Sequence, residues 1–256
     1  MMALVVAQDD DDGGGDAPTR LPATLLDLTK WSLDTPEADS DGHARRVYHP
    51  ELDTYANDYL SVVDESVVQL LVPANGATTS GSHYPRTEFR EVLPNGQGGR
   101  DLFNWDLSRH HVLNATLAIA QLPPGKPGTA VGQLFGSGPC VIVDVRARRG
   151  KLELAVTNHF KPWATKDIAI LDTDVQLGQQ FSYVIEMDRG TLSISYNGKH
   201  VVDRIPFAEG RQCQCKSQGK AQCYFKAGNY LQTNTDTDDA DAVGRVYIYS
   251  LATSHT

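Results

Sequence analysis

The chain has 256 residues, 40% of them hydrophobic and 21% charged, with a formal net charge of −9. Five of the acids, Asp9, Asp10, Asp11, Asp12 and Asp16, precede residue 17 with no base among them, so the remainder carries 27 acidic against 23 basic side chains. The absence of any Lys/Arg run interleaved with aromatics argues against nucleic acid as a partner, and no apolar run approaches the roughly 18 residues of a membrane span.

The first eight residues are apolar but short of a complete secretory signal and have no basic start, so they read as a signal remnant. Asp9 to Asp16, with Gly13, Gly14 and Gly15, cannot bury apolar area and is expected to be disordered. Residues 1–20 are therefore set apart as a tail. Residues 21–256 suit a single domain, expected to act as a monomer. Short helices are predicted near residues 22–28 and 55–63. Strand-length apolar runs follow at 67–72, 112–122, 141–145, 152–156, 181–187, 192–196, 201–205 and 246–251. Arg149-Gly150, Arg189-Gly190 and Asn197-Gly198 supply the positive-φ positions of tight hairpins. Short strands with regular turns predict an all-β, antiparallel β-sandwich or jelly roll.

Two segments break the apolar rule. Read as a strand, residues 86–90 send Arg86, Glu88 and Arg90 to one face and Thr87 and Phe89 to the other. Residues 224–232 send Tyr224, Lys226, Tyr230 and Gln232 to one face, around Gly228, and Phe225, Ala227, Asn229 and Leu231 to the other. Charged and phenolic strand faces backed by core faces predict a concave, substrate-binding sheet.

Four cysteines, Cys140, Cys213, Cys215 and Cys223, permit three pairings, and an even number points to disulfides and an extracellular protein. A bond from Cys213 or Cys215 to Cys223 would steady the tyrosine-bearing strand. The spacing fits structural zinc poorly, and Asp236 to Asp241 lacks the Gly and bidentate Glu of a calcium loop. His110-His111 has no third ligand at metal spacing and reads as the half-exposed start of a strand. No metal or cofactor is expected. Asn114-Ala115-Thr116 is a glycosylation sequon.

Residues 86–90, then Gln133-Leu134-Phe135, then residues 224–232 fall in the order and wording of the three signature blocks of polysaccharide lyase family 7, the alginate lyases. The chain resembles that family from about Leu21 to His255. The resemblance implies a jelly roll that cleaves a polyuronate, most simply alginate, by β-elimination. It implies Arg86 and Gln133 as neutralisers of the uronate carboxylate and Tyr230 as the proton-transfer residue. Glu88, Arg90, Lys226 and Gln232 follow as cleft residues. From their own chemistry, Phe135 is expected to contact a sugar face, and Tyr224 reads either as a sugar-binding cleft wall or as a packed sheet aromatic.

The residues agree with those roles. A guanidinium forks onto a carboxylate, an amide donates without adding an acid, and a phenol can accept one proton and return one. The middle block departs from the family, which has His where this chain has Phe135. A lone tyrosine serves naturally when the C5 proton and O4 lie on the same side of the ring, as in mannuronate or glucuronate, so mannuronate-rich alginate is the expected substrate. His83 is the candidate to replace the lost histidine, should Pro85 bend its strand inward. A glucuronan lyase and a noncatalytic carbohydrate-binding jelly roll are the alternatives.

Overall fold

A computed structural model describes residues 20–92, 104–159, 166–207 and 213–256. The acidic tail assigned to residues 1–20 lies outside these apart from Arg20. Two antiparallel sheets face each other. One has eight strands, in the spatial order Lys166–Asp172, Lys151–Asn158, Pro139–Arg148, Gly128–Phe135, Tyr224–Leu231, Arg86–Glu91, Trp31–Ala38 and Ala44–Val47. The other has seven, in the order Lys199–Pro206, Thr191–Tyr196, Gln180–Asp188, His110–Gln121, Val243–His255, Val67–Pro73 and Leu60–Val63. The expected β-sandwich is the observed one.

Alternation explains the layering. Phe89, Leu134, Phe225 and Ala227 from the larger sheet are fully buried with Leu70, Leu113, Leu117, Ile185 and Val246 from the smaller. Polar groups on this inner face are satisfied across it: Asn229 donates to the carbonyls of Leu70 and Gly244 at 3.0 Å each, and Thr87 donates to the Leu71 carbonyl at 2.7 Å.

Each predicted strand is present, most of them extended by one to four residues at one or both ends, while the strands His110–Gln121 and Tyr224–Leu231 each stop one residue short of the predicted end. The three predicted hairpin turns hold both residues at positive φ, as with Asn197 at 47° and Gly198 at 76°. The helices are corrected. Residues 22–28 supply only the 3₁₀ turn Pro22–Thr24. In 55–63, Asn57 Oδ1 accepts from the backbone N–H groups of Tyr59 and Leu60, so the chain turns and enters the strand Leu60–Val63.

The signature strands lie side by side. Lys226 pairs with Arg90 on one flank and Gln133 on the other, and Tyr230 pairs with Arg86 and Ala130. Between them Gly228 has φ +147°, and a Cβ there would come within 2.7 Å of the Thr87 carbonyl and 2.9 Å of Glu88 Cα. Only glycine allows these two strands to approach so closely.

Candidate active site

The outward face of the larger sheet carries a cleft of about 490 Å³, lined by Arg86, Gln133, Phe135, Tyr224, Lys226, Tyr230 and Gln232 together with Asp34, Arg46 and Ser82. Seven of the ten residues singled out from sequence thus line one cavity. The other three sit differently.

Glu88 lies beneath the cleft floor. It is fully buried, and its carboxylate accepts from Arg86 Nη1 at 2.9 Å, from Lys226 Nζ and from Gln133 Nε2. One anion therefore fixes three cleft donors, the arrangement that makes a buried charge tolerable. Arg90 is also buried, with its guanidinium 3.7 Å from the centre of the Tyr224 ring and Nη2 donating to Asn104 Oδ1 at 2.7 Å. Burial lowers it to about 10. Arg90 shapes the Tyr224 wall instead of lining the cavity. His83 is exposed and outside the lining, where its backbone carbonyl accepts from Asn234 Nδ2 at 3.2 Å. The neighbour that reaches the cleft is Ser82.

Tyr230 meets two groups. The Arg86 guanidinium stacks on its ring, 3.7 Å from the centroid. Its hydroxyl lies 3.0 Å from Ser82 Oγ, which in turn accepts from Arg86 Nη2 at 2.6 Å. Lys226, buried among Glu88, Arg86 and Asp34, is lowered by desolvation, with Glu88 opposing. At the cleft edge Arg46 grips Asp34 through two bonds, of 2.5 and 3.0 Å. Burial would raise the Asp34 carboxyl; Arg46 outweighs it and holds the group below the usual carboxylate range. Three cations, Arg46, Arg86 and Lys226, face two anions, Asp34 and Glu88, so the cleft keeps a positive balance inside a net-acidic chain. Phe135 packs 5.4 Å from Tyr224, centroid to centroid, and offers an apolar wall where a titratable ring is absent.

Asp34, Arg46 and Ser82 were missed from sequence. Asp34 and Arg46 stand on strands whose pattern, broken by Pro36 and charges, carries no family motif, and Ser82 stands in a loop.

The cysteines pair as Cys140–Cys213 and Cys215–Cys223, the second being one of the two bonds foreseen to Cys223. The sulfurs of Cys140, Cys215 and Cys223 lie within 4.8 Å of one another, but all are spent in disulfides. Asp238 accepts from the backbone of Gly125 and Lys126 and from Thr233, so it ties a turn together. His111, expected to be half-exposed, is buried: it stacks on Trp105 at 4.0 Å, and its Nδ1 meets His255 Nδ1 at 2.8 Å. A larger hollow of about 600 Å³ on the other sheet, lined by Asn57, Asp58, Tyr59 and Arg245 among others, includes none of the ten residues singled out from sequence. No helix among the described residues is long and apolar enough to cross a membrane.

An antiparallel sandwich with this cleft on one sheet is the architecture of a jelly-roll polysaccharide lyase. The family model described as alginate lyase matches residues 26–255, and the chain belongs to that family, polysaccharide lyase family 7. Among solved structures, alginate lyase AlgAT5 from polysaccharide lyase family 7 is 32% identical, with a TM-score of 0.78 over 93% of this chain and 100% of its own. The alginate lyase from Corynebacterium sp. is 26% identical, with a TM-score of 0.77 over 94% and 100%. A variant of the family 7 alginate lyase A1-II′, in complex with product (GGG), is 25% identical, with a TM-score of 0.71 over 92% and 99%. No curated protein sequence matches the chain.

Proposed function

We propose that this enzyme cleaves mannuronate-rich alginate by β-elimination, leaving an unsaturated uronate at the new non-reducing end. The observation that carries the reading is the convergence of Arg86, Gln133 and Tyr230 in one cleft, the first two tied through Glu88 and the first and last stacked. Each of Arg86 Nη1, Arg86 Nη2 and Gln133 Nε2 spends one N–H on the protein and keeps one for a substrate carboxylate. Neutralising that carboxylate makes the C5 proton removable, because charge that develops on the uronate is met by fixed donors. Tyr230 takes the C5 proton and returns a proton to O4. Lys226 and Arg46 add attraction for neighbouring anionic sugars, and Phe135 and Tyr224 give a face for a sugar ring. The family 7 relative solved in complex with product (GGG) supports an oligosaccharide as the ligand.

Phe135 cannot donate, accept or titrate, and exposed His83 lies outside the cleft lining. Both facts support elimination by a single tyrosine, hence a substrate whose C5 proton and O4 are on one side. The two disulfides support an extracellular place of action.

The test is ultraviolet absorbance of the unsaturated uronate on poly-mannuronate, poly-guluronate and glucuronan. Fastest release from poly-mannuronate is expected; faster cleavage of poly-guluronate would overturn the substrate assignment, and faster cleavage of glucuronan would reassign the enzyme to that polymer.

A further inference from the structure

The Ser82 hydroxyl has three polar neighbours and one proton. Arg86 Nη2 donates to it at 2.6 Å, the Tyr84 carbonyl lies at 3.2 Å and Tyr230 Oη at 3.0 Å. A hydroxyl has one O–H and two acceptor positions, and Arg86 occupies one of the latter permanently, since a guanidinium can only donate. The Tyr84 carbonyl can only accept. Tyr230 Oη can do either, and its protonation decides which.

While Tyr230 is a phenol, it donates to the second acceptor position of Ser82, and Ser82 donates to the Tyr84 carbonyl. Once Tyr230 is a phenolate it has nothing to donate, and the Ser82 proton is better spent on the charged oxygen than on a neutral carbonyl. A rotation about the Ser82 Cβ–Oγ bond makes the change, with no heavy atom moved. Arg86 strengthens the donation, because accepting from a cation polarises the hydroxyl.

We propose that Ser82 is a positioning residue that follows the protonation state of Tyr230, donating to the phenolate that removes the C5 proton and accepting from the phenol that protonates O4. This rests on the role given to Tyr230 above. In the elimination, the C5–H bond breaks and its proton passes to Tyr230 Oη. The C4–O4 bond then breaks with its electron pair leaving on O4, the C4=C5 double bond forms, and O4 takes the proton from Tyr230. Tyr230 ends as the phenolate that began the cycle, and the Ser82 hydroxyl turns back to donate a hydrogen bond to it. With Phe135 unable to hold or move a proton, this hydroxyl is the one group among the described residues within hydrogen-bond distance of Tyr230 Oη.

The other charged or titratable groups around Tyr230 act at longer range. Arg86 touches the face of the ring, Glu88 lies beyond Arg86, and Lys226 stands on the same strand as Tyr230. Asp34 and Arg46 pair at the cleft edge. Tyr84, whose ring is 6.4 Å from that of Tyr230, takes a hydrogen bond from Lys126.

The experiment compares wild type, Ser82→Ala, Ser82→Thr and Tyr230→Phe in two ways: pH profiles of kcat and KM on poly-mannuronate, and phenolate absorbance of the free protein titrated with base. For Ser82→Ala we expect kcat near neutrality to fall roughly ten- to hundredfold, the worth of a hydrogen bond to a charged group. KM should hold, and both the ascending limb and the phenolate titration absent from Tyr230→Phe should move to higher pH. Ser82→Thr keeps the hydroxyl and should recover most of the loss. An unmoved limb and unmoved titration in Ser82→Ala, with Tyr230→Phe inactive, would overturn the role of Ser82 and leave that of Tyr230 standing. Turnover by Tyr230→Phe would remove both.

Discussion

The guanidinium of Arg86 lies over the ring of Tyr230, 3.7 Å from its centroid, while Arg86 also binds Glu88 and Ser82. In the proposed reaction the same guanidinium also turns its remaining N–H donors to a uronate carboxylate. On the proposed mechanism, substrate binding and proton transfer meet at this contact.

Tyr230→Phe keeps the ring under Arg86 and removes the proton carrier. Turnover should fall beyond detection while polymer binding, measured by affinity electrophoresis in alginate gels, stays near wild type. Gln133→Ala should instead cost about 2 to 4 kcal/mol in the barrier, as for a lost oxyanion donor, read as a fall in kcat/KM.

Phe135→His places a titratable ring 5.4 Å from the present Tyr224 centroid position and beside Lys226. If a second proton-transfer group is what guluronate requires, the ratio of initial rates on poly-guluronate to poly-mannuronate should rise several-fold. An unchanged ratio would break the link between this position and substrate choice.

Glu88→Ala leaves Arg86 and Lys226 buried without their shared anion. Breaking a buried charge network in this way costs roughly 3 to 5 kcal/mol, so the midpoint of thermal unfolding should drop clearly, and activity should fall with it because the cleft donors lose their anchor.

The disulfides should contribute unequally. Cys140–Cys213 spans 73 residues and Cys215–Cys223 only 8. Loop-closure entropy gives roughly 4 kcal/mol for the first and roughly 2.5 for the second. Denaturant midpoints of the two paired Cys→Ser variants should fall in that order.

Burial, reinforced by the nearby His255, pushes His111 down to about 4 from an ordinary value of 6.5. Its Nε2 faces the Asp106 carbonyl at 3.0 Å, a bond that opposes the shift without overcoming it. An unfolded His111 takes a proton near 6.5 and the folded one resists it, so its contribution is complete above pH 6.5 and is lost as pH falls towards 4. Up to about 3 kcal/mol is at stake. His111→Phe should flatten the decline of stability over that window, measured by urea unfolding at each pH.

Much of this protein was legible in its residues because strand alternation is a local rule. Arg86 and Thr87, or Tyr230 and Leu231, must point to opposite faces whatever their neighbours are, and Asn197-Gly198 must turn because both residues accept positive φ. The sandwich class and the outward faces of Lys226 and Gln133 follow from the same rule, and the order of the three blocks adds the family. Only the tertiary structure decided what those faces touch. Glu88 reads as one more cleft charge until the strands bearing Lys226 and Gln133 are set around it, and then it is a buried anchor. The three possible cysteine pairings could be reduced to one only once the chain brought residue 140 against 213. Ser82 shows the limit best: a loop serine has no periodicity to mark it, and its meaning comes from a 3.0 Å approach to Tyr230, 148 residues along the chain. Contacts of that kind depend on register between distant strands, which no local pattern encodes.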